Sequence, residues 1–222
     1  AKLAKDPADA SAMIARTRAI LGMRDGRYEE AAAQAEKCIA KHPANGGCHL
    51  ALGKALGSKA VAGGVTSAIG YAGTIRDYFK KAVEINPRDY EARFALLDYY
   101  MMAPFIVGGG TGKAETLARE TTALNADAGK LMNVSLDLKE ENVAKAEAGA
   151  FALKPGSDDA IQQRHEEQLM AIGATHLSEK KYGDAMRVLG EAQKRYPDSP
   201  VIAFVVARGH QEQGKQREAL AI

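Results

Sequence analysis

Apolar positions in this chain recur every three to four residues and almost never alternate, so the pattern predicts helix from end to end. Runs of β-branched residues long enough for a strand do not occur. Glycine and proline fall at intervals that suit helix ends. Four amphipathic phrases close on proline: KCIAKHP at Pro43, KKAVEINP at Pro87, GAFALKP at Pro155 and EAQKRYP at Pro197. Proline disfavours helix at the residue before it, so each phrase marks a helix that stops there. The pattern predicts an all-α chain of about ten to twelve helices.

Two of these phrases align without a gap. GRYEEAAAQAEKCIAKHP, ending at Pro43, matches KKYGDAMRVLGEAQKRYP, ending at Pro197. Ala31 and Cys38 in the first, and Ala185 and Ala192 in the second, are small enough to let two helices cross closely. Tyr28 and Tyr182 open the second helix of a pair. On these residues the chain resembles the tetratricopeptide repeat family, a 34-residue helix–turn–helix unit. The resemblance covers roughly 12–128 and 166–222. It implies a single solenoid domain over 1–222, built of antiparallel helix pairs. Repeats are expected at 12–45, 46–89, 90–128 and 166–199, with a degenerate one at 129–157 and a half repeat at 200–222. Gly53, Leu52, Leu56, Phe79, Ala82 and Pro87 carry the second; Leu96, Leu97, Tyr100, Ala114 and Ala118 carry the third.

The second and third units are longer than the family's, and both insertions fall between the first and second helix of a repeat. Such turns line one edge of a repeat stack, so both insertions are expected on the same side. The first runs from Gly57 to Gly73 and is rich in glycine and alanine. The second is Met101-Met102-Ala103-Pro104-Phe105-Ile106-Val107 followed by three glycines. Its apolar front half is unusual for a solvated loop. Tyr99, Met101, Met102, Phe105, Ile106 and Val107 are therefore candidates for an apolar ligand wall, with Tyr71 and nearby glycines as a mobile rim. Aromatic faces supply contact area and methionine adapts to irregular shapes.

Composition narrows the function classes. Thirty cationic against 28 anionic residues leave a net charge of +2 over 222 residues, without the one-signed field of a nucleic-acid or polybasic membrane-surface protein. No stretch is long and apolar enough to span a bilayer. Gly108-Gly109-Gly110-Thr111-Gly112-Lys113 has Val107 and Ala114 where a phosphate loop needs glycine and serine or threonine, so it predicts a glycine-rich turn. The five histidines form no zinc motif, and no nucleophile turn is present. No catalytic residue, metal or cofactor is expected. His49 and His176 are expected as packing residues.

Cys38 and Cys48 lie ten residues apart, at the end of one helix and the start of the next. Two outcomes stand side by side: a bridge, which implies an oxidising compartment, or Cys38 as the small core residue of the repeat with Cys48 a half-buried thiol. The chain begins with Ala rather than Met, as expected of an exported protein whose leader is gone or of a trimmed start.

Residues 104–118 resemble, less specifically, segments of bacterial periplasmic repeat proteins that accompany solute transporters or take part in sterol trafficking. That resemblance implies a periplasmic, non-enzymatic binding protein that holds a lipid- or sterol-like ligand and works with a partner protein of a transport system. The alternative is a scaffold that binds a peptide or partner protein on its concave face. The family's peptide clamps use cations on first helices, and the candidates here are Arg16, Lys54 and Arg93.

Overall fold

The structure is a computed structural model, and it describes residues 9–222. Twelve α-helices and one short 3-10 turn make up the described residues, and none of these residues is in a strand. The helices are α1 (Ala10–Gly22), α2 (Tyr28–Lys41), α3 (Gly46–Ala62), α4 (Gly64–Ile85), α5 (Tyr90–Met102) and α6 (Thr111–Leu124). They continue as α7 (Ala126–Lys139), α8 (Val143–Phe151), α9 (Asp159–Ser178), α10 (Tyr182–Arg195), α11 (Pro200–Glu212) and α12 (Gln216–Leu220).

Local chemistry separates first from second helices. Asp9, Asn45, Asp89, Asn125, Asp158 and Ser199 each accept a hydrogen bond from a first-turn amide of α1, α3, α5, α7, α9 and α11. A short polar side chain there satisfies amides that have no partner inside the helix. The helices α2, α4, α8, α10 and α12 have no side-chain cap. Four of these are entered through a left-handed residue two positions before the helix: Gly26, Glu141, Lys180 and Gly214. That conformation costs an ordinary residue about 1–2 kcal/mol; at Glu141 and Lys180 it lets the next amides, Asn142 and Lys181, donate back to the Asp137 and His176 carbonyls and close the preceding helix. Three of the four prolines act as expected, and before Pro155 the helix α8 stops early, at Phe151. α2, α4 and α10 each stop two residues before Pro43, Pro87 and Pro197, and His42, Asn86 and Tyr196 turn to φ near −130°.

Repeat boundaries shift from those expected. α1 starts at Ala10, so the first unit begins two residues earlier than 12. Asn125 caps α7, so the third unit ends at 125 and the degenerate one runs from 126 rather than 129. The glycine- and alanine-rich insertion is helical. α3 extends to Ala62 and α4 begins at Gly64, with only Gly63 between them. The ten extra residues lengthen both helices instead of forming a mobile rim, because alanine favours helix and the Gly63-Gly64 pair turns the chain at once.

The chain divides into two compact units, at Leu117 and Ala118 inside α6. In the first unit, a Cβ on Gly53 would lie 2.5 Å from the Phe79 ring, so α3 and α4 approach as closely as they do only because residue 53 is glycine. Ala31, Ala35, Ala55, Ala82 and Ala92 are fully buried. Small residues thus set the helix spacing throughout this unit. The second unit repeats the device: a Cβ on Gly173 would lie 2.6 Å from Leu189. Around it Leu169, Ile172, Ala185, Val188, Ala192 and Ile202 form a closed core. Here α8 is short, and its last carbonyls are taken up by a neighbour. Arg195 donates to the Leu153 carbonyl at 2.9 Å and to that of Phe151 at 3.3 Å.

Candidate functional site

The turn between α5 and α6 is built from the inside. Tyr99 is buried near the end of α5, and its hydroxyl donates to the Val107 carbonyl at 2.6 Å. Burial raises its phenol above the ordinary tyrosine range, so it stays a donor. Arg76 of α4 donates to the same carbonyl at 3.4 Å. Phe105–Val107 form a 3-10 turn, and Gly108 and Gly110 follow at φ of +90° and +128°. Gly109 packs so tightly on the backbone of Ala103 that a Cβ would overlap its carbonyl oxygen at 1.8 Å. Lys113 closes the turn by donating to the Gly108 carbonyl at 2.9 Å. The three glycines therefore serve a tight backbone crossing, which is the glycine-rich turn expected.

The six candidate wall residues, and Tyr71 of the expected rim, do not face one space. Tyr99 is a buried strut, and Met101 and Val107 are half-buried. Tyr71 is half-buried on α4, with the Lys59 ammonium 5.4 Å from its ring centre. Met102, Phe105 and Ile106 stand in solvent at 78%, 83% and 90% exposure. A ligand wall must face an enclosed space, and these three side chains face outward because the turn is pinned from beneath by Tyr99 and Arg76.

A second arrangement sits on the first helices of the first unit. Glu91 at the start of α5 accepts from Lys54 of α3 at 2.6 Å and from Arg18 of α1. Arg18 and Glu91 are 73 positions apart and belong to the first and third repeats. The cluster thus lies on the face that the first helices α1, α3 and α5 form together. Two of the three expected clamp residues are elsewhere. Arg16 is exposed on α1, away from the cluster by two positions. Arg93 is 5% exposed and donates to the Pro87 carbonyl at 2.5 Å, holding the α4–α5 turn. Arg18 and Glu91 were not expected, and no signal along the sequence pairs them.

This succession of capped and uncapped helices, crossing on small residues, is a known fold. A protein described as a thermophilic TPR protein, TTC0263 of Thermus thermophilus, superposes with a TM-score of 0.59 at 14% identity. The match covers 96% of this chain and 100% of that one. The chain has the tetratricopeptide-repeat fold. YrrB, described as a TPR protein with an unusual peptide-binding site, is similar at 14% identity and a TM-score of 0.44, over 90% of this chain and 93% of that one. No family model matches the sequence, and no curated protein matches it.

Within this tetratricopeptide fold, Cys38 at the end of α2 and Cys48 at the start of α3 are bonded to each other, with Cα atoms 5.5 Å apart. Both are fully buried beside Met13, and the bond ties the first repeat to the second. For so short a loop the chain-entropy model gives about 2.5–3 kcal/mol. Reduction is expected to lower the stability of the first unit by about that much. Urea titrations with and without a phosphine reductant check this, and a double Cys→Ser variant that ignores reductant is the control. His49 and His176 are packing residues: each is 8% exposed and bonded through Nε2, to the Pro43 carbonyl and to Glu147 respectively.

Proposed function

We propose that the protein is a non-enzymatic scaffold that holds a partner protein on the concave face of α1, α3 and α5. The observation that carries this is the convergence of Arg18 and Lys54 on one carboxylate, that of Glu91. Their side chains are 55% and 40% exposed, so a carboxylate of a bound segment can reach both. Exposed ion pairs contribute little to stability, and exchanging Glu91 for a partner's carboxylate is therefore inexpensive. The exposure of Met102, Phe105 and Ile106 favours a surface contact over an enclosed lipid or sterol.

The Cys38–Cys48 pair supports an oxidising compartment, and the resemblance of 104–118 extends this to the bacterial periplasm and a partner from a transport system. Thiol titration of freshly isolated, denatured protein tests the compartment: two free thiols remove it. A photo-crosslinking residue in place of Ala15, exposed one turn before Arg18 on α1, tests the face. It is expected to capture one defined protein in the native cell, and Lys54→Glu is expected to abolish the capture. Equal capture from a crosslinker in place of Glu36 on the exposed side of α2 would reject the concave face.

A further inference from the structure

Among the described residues, almost every large apolar side chain that the first unit leaves exposed lies at one end of it. Val61 and Val65 flank the α3–α4 turn, Ile69 follows one turn later, and Met102, Phe105 and Ile106 form the α5–α6 turn. Their exposures run from 58% to 90%. A free surface carries such residues singly, so six at one end are an exception to be explained. The two turns are also linked. On a helical wheel Val65, Ile69 and Arg76 fall within about 40° of one line along α4. Arg76 then reaches across to the Val107 carbonyl, bringing that face against the turn that carries Phe105 and Ile106.

Charge is arranged around this end in a particular way. Residues 60–75 contain no charged side chain, and neither do residues 99–112. Three of the four residues that border these stretches are cations: Lys59, which pairs with Glu29, Arg76, which pairs with Asp77, and Lys113; such exposed pairs exchange partners at little cost. The fourth is Asp98. The uncharged polar groups within them, among them Thr66, Ser67, Tyr71 and Thr74, are types that tolerate a boundary between water and hydrocarbon. The apolar side chains stand out from convex tips and do not line a groove. Turns between first and second helices of successive repeats lie along one edge, so both tips can meet a flat surface together.

We infer that this end of the first unit docks on a lipid bilayer surface. The tips would enter the boundary between headgroups and acyl chains, with the bordering cations at the height of anionic headgroups. A net charge of +2 supplies no long-range attraction, so apolar insertion carries the contact and the local cations add a preference for anionic lipid. This inference is independent of the concave-face reading, whose residues Arg18, Lys54 and Glu91 it does not use.

Vesicle flotation with the full chain tests it. The parent is expected to float with vesicles of phosphatidylcholine mixed with phosphatidylglycerol, and less with phosphatidylcholine alone. The double variant Phe105→Asp, Ile106→Asp is expected to lose at least about tenfold in partitioning. Both side chains are exposed, so the variant folds, and unchanged circular dichroism checks this. The chain has no tryptophan, so Phe105→Trp adds a single probe whose emission is expected to shift to the blue on anionic vesicles. Three results would overturn the inference. One is a parent that floats with neither vesicle. Another is a double variant that floats as the parent does. The third is a parent dimer, seen by light scattering, that the double variant abolishes, because the apolar end would then be covered by a second copy.

Discussion

Ala185→Asp is expected to destabilise the second unit by about 3–5 kcal/mol, the range for an uncompensated polar group in a closed core. Ala185 lies on α10 at 0% exposure, in the cluster that holds Leu169, Ile172, Val188, Leu189 and Ile202. None of the buried side chains of that cluster can donate a hydrogen bond to a carboxylate. The aspartate must then be buried without a partner, or be neutralised, or push α9 and α10 apart, and Gly173 against Leu189 shows how little room separates those helices. Thermal and urea unfolding of the full chain measure the loss. Gly190→Ala, five residues along the same helix, is the control. A Cβ there meets nothing within 4 Å, so the change is expected to be neutral or to stabilise by about 0.5–1 kcal/mol. A parent-like melt for Ala185→Asp would mean that α10 packs with another face inward.

His165 is expected to give the second unit a pH-dependent stability. It is fully buried on α9, 2.8 Å from the Ala150 carbonyl through Nε2 and 2.7 Å from the Tyr196 hydroxyl through Nδ1. A carbonyl only accepts, so Nε2 carries the proton and Nδ1 accepts from Tyr196. The tyrosine remains a donor because burial, aided by Glu166, pushes its phenol up to about 12. Burial, with the Arg195 guanidinium beside the ring, holds the His165 imidazolium below its ordinary 6.5. The unfolded chain therefore takes up this proton at a higher pH than the folded one, and stability rises with pH in that interval. The contribution is complete above about pH 6.5 and is lost as pH falls below it toward the folded value. His165→Leu leaves the Ala150 carbonyl and the Tyr196 hydroxyl without their partner, and is expected to cost about 2–4 kcal/mol near neutrality. Urea titrations at several pH values compare the two proteins. The gap between parent and variant is expected to narrow from pH 7 to pH 5; a constant gap would show that the fold leaves the imidazole unshifted, and a widening gap that it favours the imidazolium.

The helices and their order were determined by the sequence alone, because the signals that define them are local. Pro43, Pro87 and Pro197 end helices by a clash with the preceding residue, whatever surrounds them. Ala31 and Ala185 announce close crossings because only small side chains fit there, and both are fully buried. The start of α9 is set locally as well, by the Asp158 side chain that accepts from the Ile161 amide.

Tertiary structure decided what depends on two distant parts of the chain at once. The Gly57–Gly73 stretch reads as a rim from its glycines; its alanines favour helix, and the packing of α3 on α4 makes that local preference two longer helices. Phe105 and Ile106 look like the wall of a pocket in the sequence. Tyr99 and Arg76 hold the backbone of their turn from below, and so turn them to solvent. Arg18 takes the place expected of Arg16 or Arg93. Residues two apart on a helix point about 200° from each other, and only the packing that brings α1 toward α5 selects which one meets Glu91.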